Sequence, residues 1–450
     1  MKRKSMFPKP KLSHMQVIAL GYLIMILAGT CLLMLPVSSR DGLPAGFRTA
    51  LFTSASSSCV TGLILRDTAT GWSAFGQAVI LLLIQTGGLG FMTIATMLYM
   101  VLHRRMGLKQ REIMVESINT TQIGGLMRLT RKIILGTACF EGAGMALLAV
   151  RFVPMFGWSR GLWYSLFHAV SAFCNAGFDL MGVLEPCGSL TPFQTDVFVN
   201  AVIMALITLG GLGFLVWEDL WKNGHHWKRY RLHTKMVLTV SALLTFGGAL
   251  ILLILERNAT GAGMSPGHRC LTALFASVTA RTAGFNTVDV AAMSGGSKLF
   301  YLLLMLIGGS PGSTAGGVKT TTVTVIALYA LASFRGDRKP QVFGRSIREE
   351  QLKKSCTVLF FNLSIAFFAA LMISAWEPFD IMDILFEAFS AIGTVGVTTG
   401  ITQGLTALSS YLIALMMFLG RVGSVTFAVA ILEKRARPPV TCPEEQVIIG

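Results

Sequence analysis

The sequence LFTSASSSCVTGL at residues 51–63 decides the fold: a Leu-Phe pair, a run of small and polar residues, and a single glycine before an apolar residue. The chain repeats this phrase at residues 166–178 (LFHAVSAFCNAGF), 274–285 (LFASVTARTAGF) and 385–397 (LFEAFSAIGTVGV). We call Gly62, Gly177, Gly284 and Gly396 the signature glycines, and they lie 115, 107 and 112 residues apart. This spacing predicts a fourfold repeat with a period of about 110 residues.

Four equivalent loops can form a ring, and a ring of backbone carbonyl groups can replace the water around a potassium ion. Glycine suits such a loop because carbonyls that point the same way need backbone angles that a Cβ would penalise. The third phrase is one residue shorter than the others between its Phe and its glycine. We therefore expect the third loop to depart from strict fourfold symmetry.

The composition indicates a polytopic membrane protein, because 53% of the 450 residues are hydrophobic and only 13% are charged. Eight apolar stretches are each long enough to cross a hydrocarbon core of about 30 Å, which takes about 20 helical residues. They are residues 16–36, 76–102, 133–153, 197–221, 236–256, 298–334, 356–375 and 408–432. The sequence thus predicts two membrane spans in each repeat.

The net charge of +16 reports topology rather than nucleic-acid binding. Of the 38 Lys and Arg residues, 27 lie in five segments, which are 1–15, 103–132, 222–235, 335–354 and 432–450. By the positive-inside rule, both termini and the three loops between repeats are cytoplasmic, where they meet anionic lipid. The predicted location is the cell membrane.

The predicted fold class is an all-α membrane protein of four parallel repeats around a central pore. Each repeat contains a helix, a pore helix and a second helix, and two spans per repeat give every repeat the same orientation about an axis along the membrane normal. The repeats are assigned to residues 1–132, 133–235, 236–354 and 355–450. Pseudo-fourfold symmetry follows from this arrangement.

Each phrase is predicted to begin as a short re-entrant helix, over Ala45–Ser57, Gly161–Phe173, His268–Ala280 and Phe379–Ile392. Such helices cross about half a bilayer, and their C-terminal ends carry partial negative charge that favours a cation. The four residues that end at each signature glycine, which we call the signature loops, are predicted to line an aqueous axis and to form the selectivity filter. They are Cys59, Val60, Thr61 and Gly62; Cys174, Asn175, Ala176 and Gly177; Arg281, Thr282, Ala283 and Gly284; and Gly393, Thr394, Val395 and Gly396. Potassium is expected at Thr61, Gly62, Asn175, Gly177, Thr282, Gly284, Thr394 and Gly396.

These four phrases in register resemble the Trk/Ktr/HKT superfamily of potassium transporters, most closely its KtrB-type membrane subunits. The resemblance extends over essentially the whole chain. It implies one pore per subunit, a homodimer, and regulation by a cytosolic nucleotide-binding ring of the KtrA kind. We expect that ring to dock on the basic segments 103–132 and 222–235.

A second glycine mark follows each phrase and reads GGLG at residues 87–90, GGLG at 210–213 and GRVG at 420–423. Close helix packing through small residues is the interpretation favoured for the first two. In the third repeat the mark becomes the glycine-rich loop: Gly308, Gly309, Ser310, Pro311, Gly312, Ser313, Thr314, Ala315, Gly316 and Gly317. Five glycines and a proline cannot hold a regular helix, so this segment is predicted to lie beside the pore.

By resemblance, the glycine-rich loop acts as a gate. Arg421 lies inside the last apolar stretch, where a buried guanidinium is usually functional, and it is predicted to form a positive constriction below the filter. His168 and Glu387, each directly after a Leu-Phe pair, are expected to brace the filter from behind through hydrogen bonds. Arg281 is expected to anchor structure while facing away from the ion path.

The sequence contains no phosphate-binding loop, zinc-protease or serine-hydrolase motif, so no enzyme activity and no covalently bound cofactor are predicted. The predicted function is potassium uptake through a selective pore, driven by the membrane potential, with K⁺ as the transported ion. A sodium-coupled or sodium-permeable cation transporter stays open as an alternative. So does a membrane scaffold or sensor that conducts nothing.

Overall fold

The structure is a computed structural model that describes residues 14–90, 93, 126–337 and 339–423. Nearly all regular structure in these ranges is helical. The strands of the described residues are β1 (Gln341–Val342) and β2 (Arg345–Ser346), a short antiparallel pair. The C-terminal tail and most of the basic segment 103–132 lie outside the described residues.

Each repeat contributes a first helix, a short helix that carries the phrase, and a second helix. In the first half of the chain the helices are α1 (His14–Leu33), α2 (Phe47–Cys59), α3 (Thr68–Gly71), α4 (Ala74–Leu89), α5 (Leu126–Phe156), α6 (Trp158–Phe173), α7 (Val197–Leu212) and α8 (Phe214–Asn223). In the second half they are α9 (Leu232–Ala242), α10 (Gly248–Leu255), α11 (Pro266–Thr279), α12 (Gly295–Leu306), α13 (Thr320–Phe334), α14 (Glu349–Trp376), α15 (Ile381–Gly393) and α16 (Ala407–Val422). Short 3₁₀ turns occur between several of these helices, and a π-helical turn (Leu243–Gly247) joins α9 to α10.

The four short helices α2, α6, α11 and α15 form where the sequence predicts them, with shifted ends. Two of the shifts have a visible local cause in the capping residues. Ser265 accepts a hydrogen bond from the His268 amide and Pro266 occupies the first helical position, so α11 begins two residues before the predicted start. Asp380 caps α15 by accepting from the Met382 amide.

Four helices are long and apolar enough to cross a membrane, judged by length and composition within the described residues. They are Gln16–Leu33, Met127–Phe156, Leu232–Leu255 and Glu349–Trp376, which are the first helices of the four repeats. Within the described residues, the second helices of the first, third and fourth repeats are shorter: Ala74–Leu89, the pair Gly295–Leu306 and Thr320–Phe334, and Ala407–Val422. Within the described residues, each first helix is therefore long enough to cross a membrane, whereas no single second helix is.

The predicted span 197–221 is not one straight helix, because α7 and α8 meet at an angle of 93°. The bend lies at Gly213, whose φ of 95° is in the left-handed region that favours glycine. Gly90 and Gly423 end α4 and α16 with φ values of 84° and 94°. The apolar stretches pass through these glycines, but the helices do not.

The short helices close a cycle of packing contacts. Each one packs against the second helix of the preceding repeat: α6 against α4, α11 against α7, α15 against α12, and α2 against α16. Their C-terminal halves are almost completely buried. This cycle brings the four signature loops to the middle of the molecule.

Candidate functional site: the signature loops and the glycine-rich loop

All four signature loops share an unusual backbone. The signature glycines have φ values of 100°, 69°, 84° and 92° in chain order. The residue two positions before each glycine is also left-handed, at Val60 (57°), Asn175 (59°), Thr282 (71°) and Thr394 (51°). For a residue with a Cβ this conformation costs about 1–2 kcal/mol, so the surrounding structure must enforce it.

Sequence reasoning predicted the special glycine angles and missed the second left-handed residue. Val and Thr are poor candidates for that conformation because their Cβ is branched. Asn175 is the one residue of the four whose type tolerates it. Residue type could therefore have indicated the second left-handed position in the second loop only.

Serine residues at the end of the short helices hold the loops in place. Three loop amides donate to a serine carbonyl at 2.8 Å: Thr61 to Ser56, Ala176 to Ser171 and Val395 to Ser390. The hydroxyl groups of Ser56 and Ser390 accept from the amides of Gly62 and Gly396 at 3.0 Å, and the Ser171 hydroxyl donates to the Phe178 carbonyl at 2.6 Å. The small polar residues of the phrase thus satisfy buried backbone groups.

In the shortened third loop, a threonine one residue closer to the glycine takes the place of the serine. Thr279 lies five residues before Gly284, whereas the serines lie six residues before their glycines. Its carbonyl accepts from the Ala283 amide at 3.0 Å, and its hydroxyl donates to the Phe285 carbonyl at 2.7 Å. One fewer residue is therefore accommodated without losing the hydrogen bonds.

The four signature glycines converge, each beside the carbonyl oxygen of a residue in another repeat. A Cβ placed on Gly62 would lie 2.5 Å from the oxygen of Ala176. A Cβ on Gly177 would lie 2.8 Å from the oxygen of Ala283, and a Cβ on Gly284 would lie 2.8 Å from that of Val395. A Cβ on Gly396 would overlap the oxygen of Thr61, which closes the ring in chain order. No larger residue fits these positions without moving backbone.

The second helices approach the ends of the short helices through small residues, as predicted for the first two glycine marks. A Cβ on Gly87 would overlap the carbonyl of Ser58, and one on Gly210 would overlap that of Phe173. Gly420 stands in the same relation to Ile392. The close packing predicted from small residues is confirmed at these positions.

The glycine-rich loop is joined to the bent second helix of repeat two. The amides of Ser310 and Thr314 donate to the carbonyls of Gly211 and Gly210 at 3.0 and 3.3 Å, and the Phe214 amide donates to the Gly312 carbonyl at 2.8 Å. The acceptors on Gly210 and Gly211 are available because α7 ends at this bend. The break in α7 and the glycine-rich loop therefore supply hydrogen-bond partners for each other's backbone groups.

The same loop also contacts the signature loops near the C-terminal ends of the short helices. The Thr314 hydroxyl donates to the Phe173 carbonyl at 3.1 Å. Gly316 lies against the Thr394 side chain, and a Cβ on Gly317 would lie 2.8 Å from the Gly393 carbonyl. The glycine-rich loop thus contacts the end of α6 in the second repeat and the signature loop of the fourth repeat.

Arg421 joins the loop to the first repeat. Its guanidinium donates to the Thr314 carbonyl, and to the carbonyls of Gly87 and Gly88, the latter at 3.2 Å. Lys319, at the loop exit, donates to the carbonyls of Ala315 and Gly316 at 2.6 and 3.2 Å. Two cationic side chains therefore hold the segment through backbone carbonyls.

His168 and Glu387, predicted to brace the filter from behind, each form hydrogen bonds to the segment that follows their loop. His168 Nδ1 lies 2.7 Å from the Tyr164 carbonyl, and its Nε2 accepts from the Leu180 amide at 3.3 Å. The Glu387 carboxylate accepts from the hydroxyl groups of Thr398 (2.8 Å) and Thr402. This bonding leaves the histidine neutral, with Nδ1 as the donor.

A buried acidic residue behind the second loop was not anticipated. The Glu141 side chain accepts from Gln85 Nε2 at 3.1 Å, and its other oxygen lies 3.8 Å from the sulfur of Cys174. A lone glutamate within a long apolar helix gives little indication from sequence of the loop it contacts. This cluster ties α4 and α5 to the second signature loop.

Comparisons with known proteins find similar proteins over nearly the whole chain. A family model described as TrkH, a cation transport protein, matches residues 13–436. The chain is 41% identical to the potassium/sodium uptake protein NtpJ of Enterococcus hirae, with 98% of each covered. It is 40% identical to the Ktr system potassium uptake protein B of Bacillus subtilis, covering 97% of this chain and 96% of that one.

The fold is similar to the crystal structure of the potassium transporter TrkH from Vibrio parahaemolyticus. The TM-score is 0.74 at 16% sequence identity, over 94% of this chain and 85% of that one. At such low identity the likeness establishes the fold alone. It supports an all-α architecture.

Proposed function

This chain belongs to the TrkH family of cation transport proteins, and is thus a multi-pass membrane transporter rather than an enzyme, and we propose that it takes up potassium ions through the four signature loops. The observation that carries the proposal is the convergence of the signature glycines, each against a carbonyl oxygen of another repeat. Closely spaced carbonyl groups are the usual ligands of a potassium pathway. The signature loops contain no carboxylate, which favours weak binding of a monovalent ion over tight binding of a divalent one.

In this proposal the membrane potential drives the ion inward. Moving one elementary charge across 100 mV yields about 2.3 kcal/mol, which is sufficient for uptake without a motor. K⁺ is the transported ion, and no covalently bound cofactor takes part. The contacting groups proposed for K⁺ are the backbone carbonyls at Thr61, Gly62, Asn175, Gly177, Thr282, Gly284, Thr394 and Gly396.

We further propose eight membrane spans in four parallel repeats, with both termini in the cytoplasm and pseudo-fourfold symmetry about the pore. The cyclic packing of short helices on preceding second helices supports this arrangement. The distribution of Lys and Arg supports the orientation. The proposed repeats are residues 1–132, 133–235, 236–354 and 355–450, in a protein of the cell membrane.

The glycine-rich loop is proposed as the gate, with Arg421 as its latch and as a positive barrier. Support comes from its hydrogen bonds to α7, to Phe173 and to Arg421, all made by an irregular segment. Because it lies under the second and fourth signature loops, its displacement would open the path from them toward the cytoplasm.

A homodimer and a cytosolic nucleotide-binding ring are proposed as partners. Relatives named as uptake proteins of a "Ktr system" support a protein that works with other components. The basic segment 222–235, at the end of α8, is one proposed docking place for the ring. Purification of the full chain, with its mass in a membrane-mimetic solution measured by light scattering, tests the dimer.

Sodium permeation is the second candidate, because the relative from Enterococcus hirae is named as a potassium/sodium uptake protein. Potassium uptake is tested in a bacterial strain that lacks its own potassium uptake. Expression of the chain restores growth at low external potassium if it takes up K⁺. Growth that stays absent at every potassium concentration, with normal protein in the membrane, contradicts the proposal.

A further inference from the structure

The side chains of the four left-handed loop residues all meet the glycine mark of their own repeat. The distances from each side chain to a Cβ built on the first glycine of the mark are 3.1 Å for Val60 and Gly87, 3.0 Å for Asn175 and Gly210, 3.3 Å for Thr282 and Gly308, and 3.0 Å for Thr394 and Gly420. Three of these contacts are made by methyl groups. The hydroxyl groups of Thr282 and Thr394 are buried and have no hydrogen-bond partner in the part of the chain that the structure describes.

The second loop differs, because its left-handed residue is held by hydrogen bonds. Asn175 is 1% exposed, and its side-chain amide nitrogen donates to the carbonyls of Phe173 at 3.3 Å and Ile207 at 3.2 Å. The opposite orientation of the amide would turn its oxygen toward both carbonyls, and an amide oxygen cannot donate. The Asn175 side chain therefore fastens the second signature loop to the end of α6 and to α7.

The glycine-rich loop uses the same two supports. The Phe173 carbonyl accepts from the Thr314 hydroxyl at 3.1 Å as well as from Asn175, and the two lone pairs of a carbonyl oxygen allow both bonds. The Thr314 amide donates to the carbonyl of Gly210, which follows Ile207 by three residues in α7. When the glycine-rich loop leaves this place, the bonds from Thr314 are lost, whereas those from Asn175 can be kept.

We propose that Asn175 is a positioning residue that keeps the second signature loop selective for K⁺ over Na⁺ when the glycine-rich loop moves away. Its amide holds the signature loop without any contribution from the glycine-rich loop. Asparagine also tolerates the left-handed conformation better than the valine or threonine of the other loops. This role rests on the proposed function, because it lies within the same ion path and depends on the same gate.

Asn175→Thr, compared in two backgrounds, tests this role. Threonine occupies the equivalent left-handed position in the third and fourth loops, where its hydroxyl has no partner among the described residues. The variant therefore keeps a compatible backbone and loses both amide bonds. One background is the otherwise unmodified full chain, and the other is Arg421→Ala, which removes the bond from the last helix to the glycine-rich loop.

Reversal potentials in mixed K⁺ and Na⁺ solutions give the permeability ratio of the two ions, which does not depend on how much of the protein is folded. In the Arg421→Ala background, Asn175→Thr should lower the K⁺/Na⁺ ratio by about two- to tenfold, the effect of one neutral hydrogen bond. The decrease should be smaller in the unmodified background, where Thr314 still holds Phe173 and Gly210. A ratio that is unchanged in both backgrounds overturns the proposal, and an equal decrease in both overturns the link to the glycine-rich loop.

Thr208→Val is the matched control. Its hydroxyl lies next to Ile207 in sequence but donates within its own helix, to the Met204 carbonyl at 2.7 Å. The control should leave the ratio unchanged in both backgrounds. A decrease as large as that of Asn175→Thr would assign the effect to the packing of α7 and overturn the role of Asn175.

A second variant covers the case in which Asn175→Thr does not fold. Asn175→Asp keeps the shape and the tolerance of the left-handed conformation but loses both N–H donors, so the same decrease in the ratio is expected. Absence of any cation flux in the unmodified protein contradicts the proposed function. Flux with a K⁺/Na⁺ ratio that neither Asn175 variant alters contradicts the role of Asn175 alone.

Discussion

The guanidinium of Arg421 donates to the carbonyl oxygen of Thr314, so the last helix of the chain holds the middle of the glycine-rich loop. The two residues are 107 positions apart in sequence. The same guanidinium also bonds Gly87 and Gly88. One side chain therefore links the first, third and fourth repeats beneath the signature loops.

Replacing Arg421 with Ala should raise potassium flux. The substitution removes a charged hydrogen bond to the loop, which contributes about 1.5–3 kcal/mol, and it removes a positive charge from the proposed path. A shift of that size in the closed state corresponds to at least about a tenfold change in its population. Rb⁺ uptake into proteoliposomes measures the effect.

Arg421→Lys separates charge from hydrogen bonding. A lysine keeps the charge but cannot donate in a planar fork to Thr314 and Gly87 at once. Flux that rises in both variants identifies the hydrogen bonds as the restraint. Flux that is unchanged in Arg421→Ala, at equal protein in the membrane, contradicts the latch.

Replacing Thr314 with Val tests the contact of the loop with the second short helix. Valine keeps the shape and removes the hydroxyl that donates to the Phe173 carbonyl at 3.1 Å. A single neutral hydrogen bond contributes about 0.5–1.5 kcal/mol, so flux should rise by about two- to tenfold. Ser313→Ala is the matched control, because its hydroxyl bonds only within the loop, to Ser310. An equal response of the two variants would show that the Phe173 contact restrains nothing.

Replacing Thr279 with Val should reduce discrimination between K⁺ and Na⁺ more than total flux. The Thr279 hydroxyl fixes the Phe285 carbonyl just beyond the third signature glycine, and its loss leaves that carbonyl unsatisfied. Reversal potentials in mixed K⁺ and Na⁺ solutions measure the discrimination. Thr272→Val, in the same helix, removes a hydroxyl that bonds only its own helix and should leave the potential unchanged. A shift in the control alone would refute the proposed role of Thr279.

The four short helices and the loop positions could be predicted because their signals are local. The Leu-Phe pair, the run of small polar residues and the single glycine recur within about a dozen residues. The bend at Gly213 could not be predicted in the same way, because the apolar pattern continues across it. The glycine mark at 210–213 was interpreted as packing, which is right for Gly210 and incomplete for Gly213.

Contacts between distant segments explain the remaining differences. Val60 and Thr394 adopt left-handed conformations against their intrinsic preference, since the loops are packed on all sides by other repeats. Glu141 meets the second loop only through the packing of α5 and α4. Sequence periodicity reports which face of a helix is apolar but not which loop lies beside a given polar residue.

Substitution of a signature glycine tests the central claim most directly, and Gly396 and Gly400 form a matched pair. Both have positive φ values, 92° and 95°, so alanine is disfavoured by the backbone at each. A Cβ on Gly396 overlaps the Thr61 carbonyl, whereas one on Gly400 meets nothing within 4 Å.

The measurement is Rb⁺ uptake into proteoliposomes under an inside-negative potential, with Na⁺ uptake recorded in parallel. If the signature loops form the ion path, Gly396→Ala abolishes or strongly lowers Rb⁺ uptake or admits Na⁺, while Gly400→Ala behaves as the unmodified protein. Rb⁺ uptake and Rb⁺/Na⁺ discrimination that stay normal in well-folded Gly396→Ala would contradict the account.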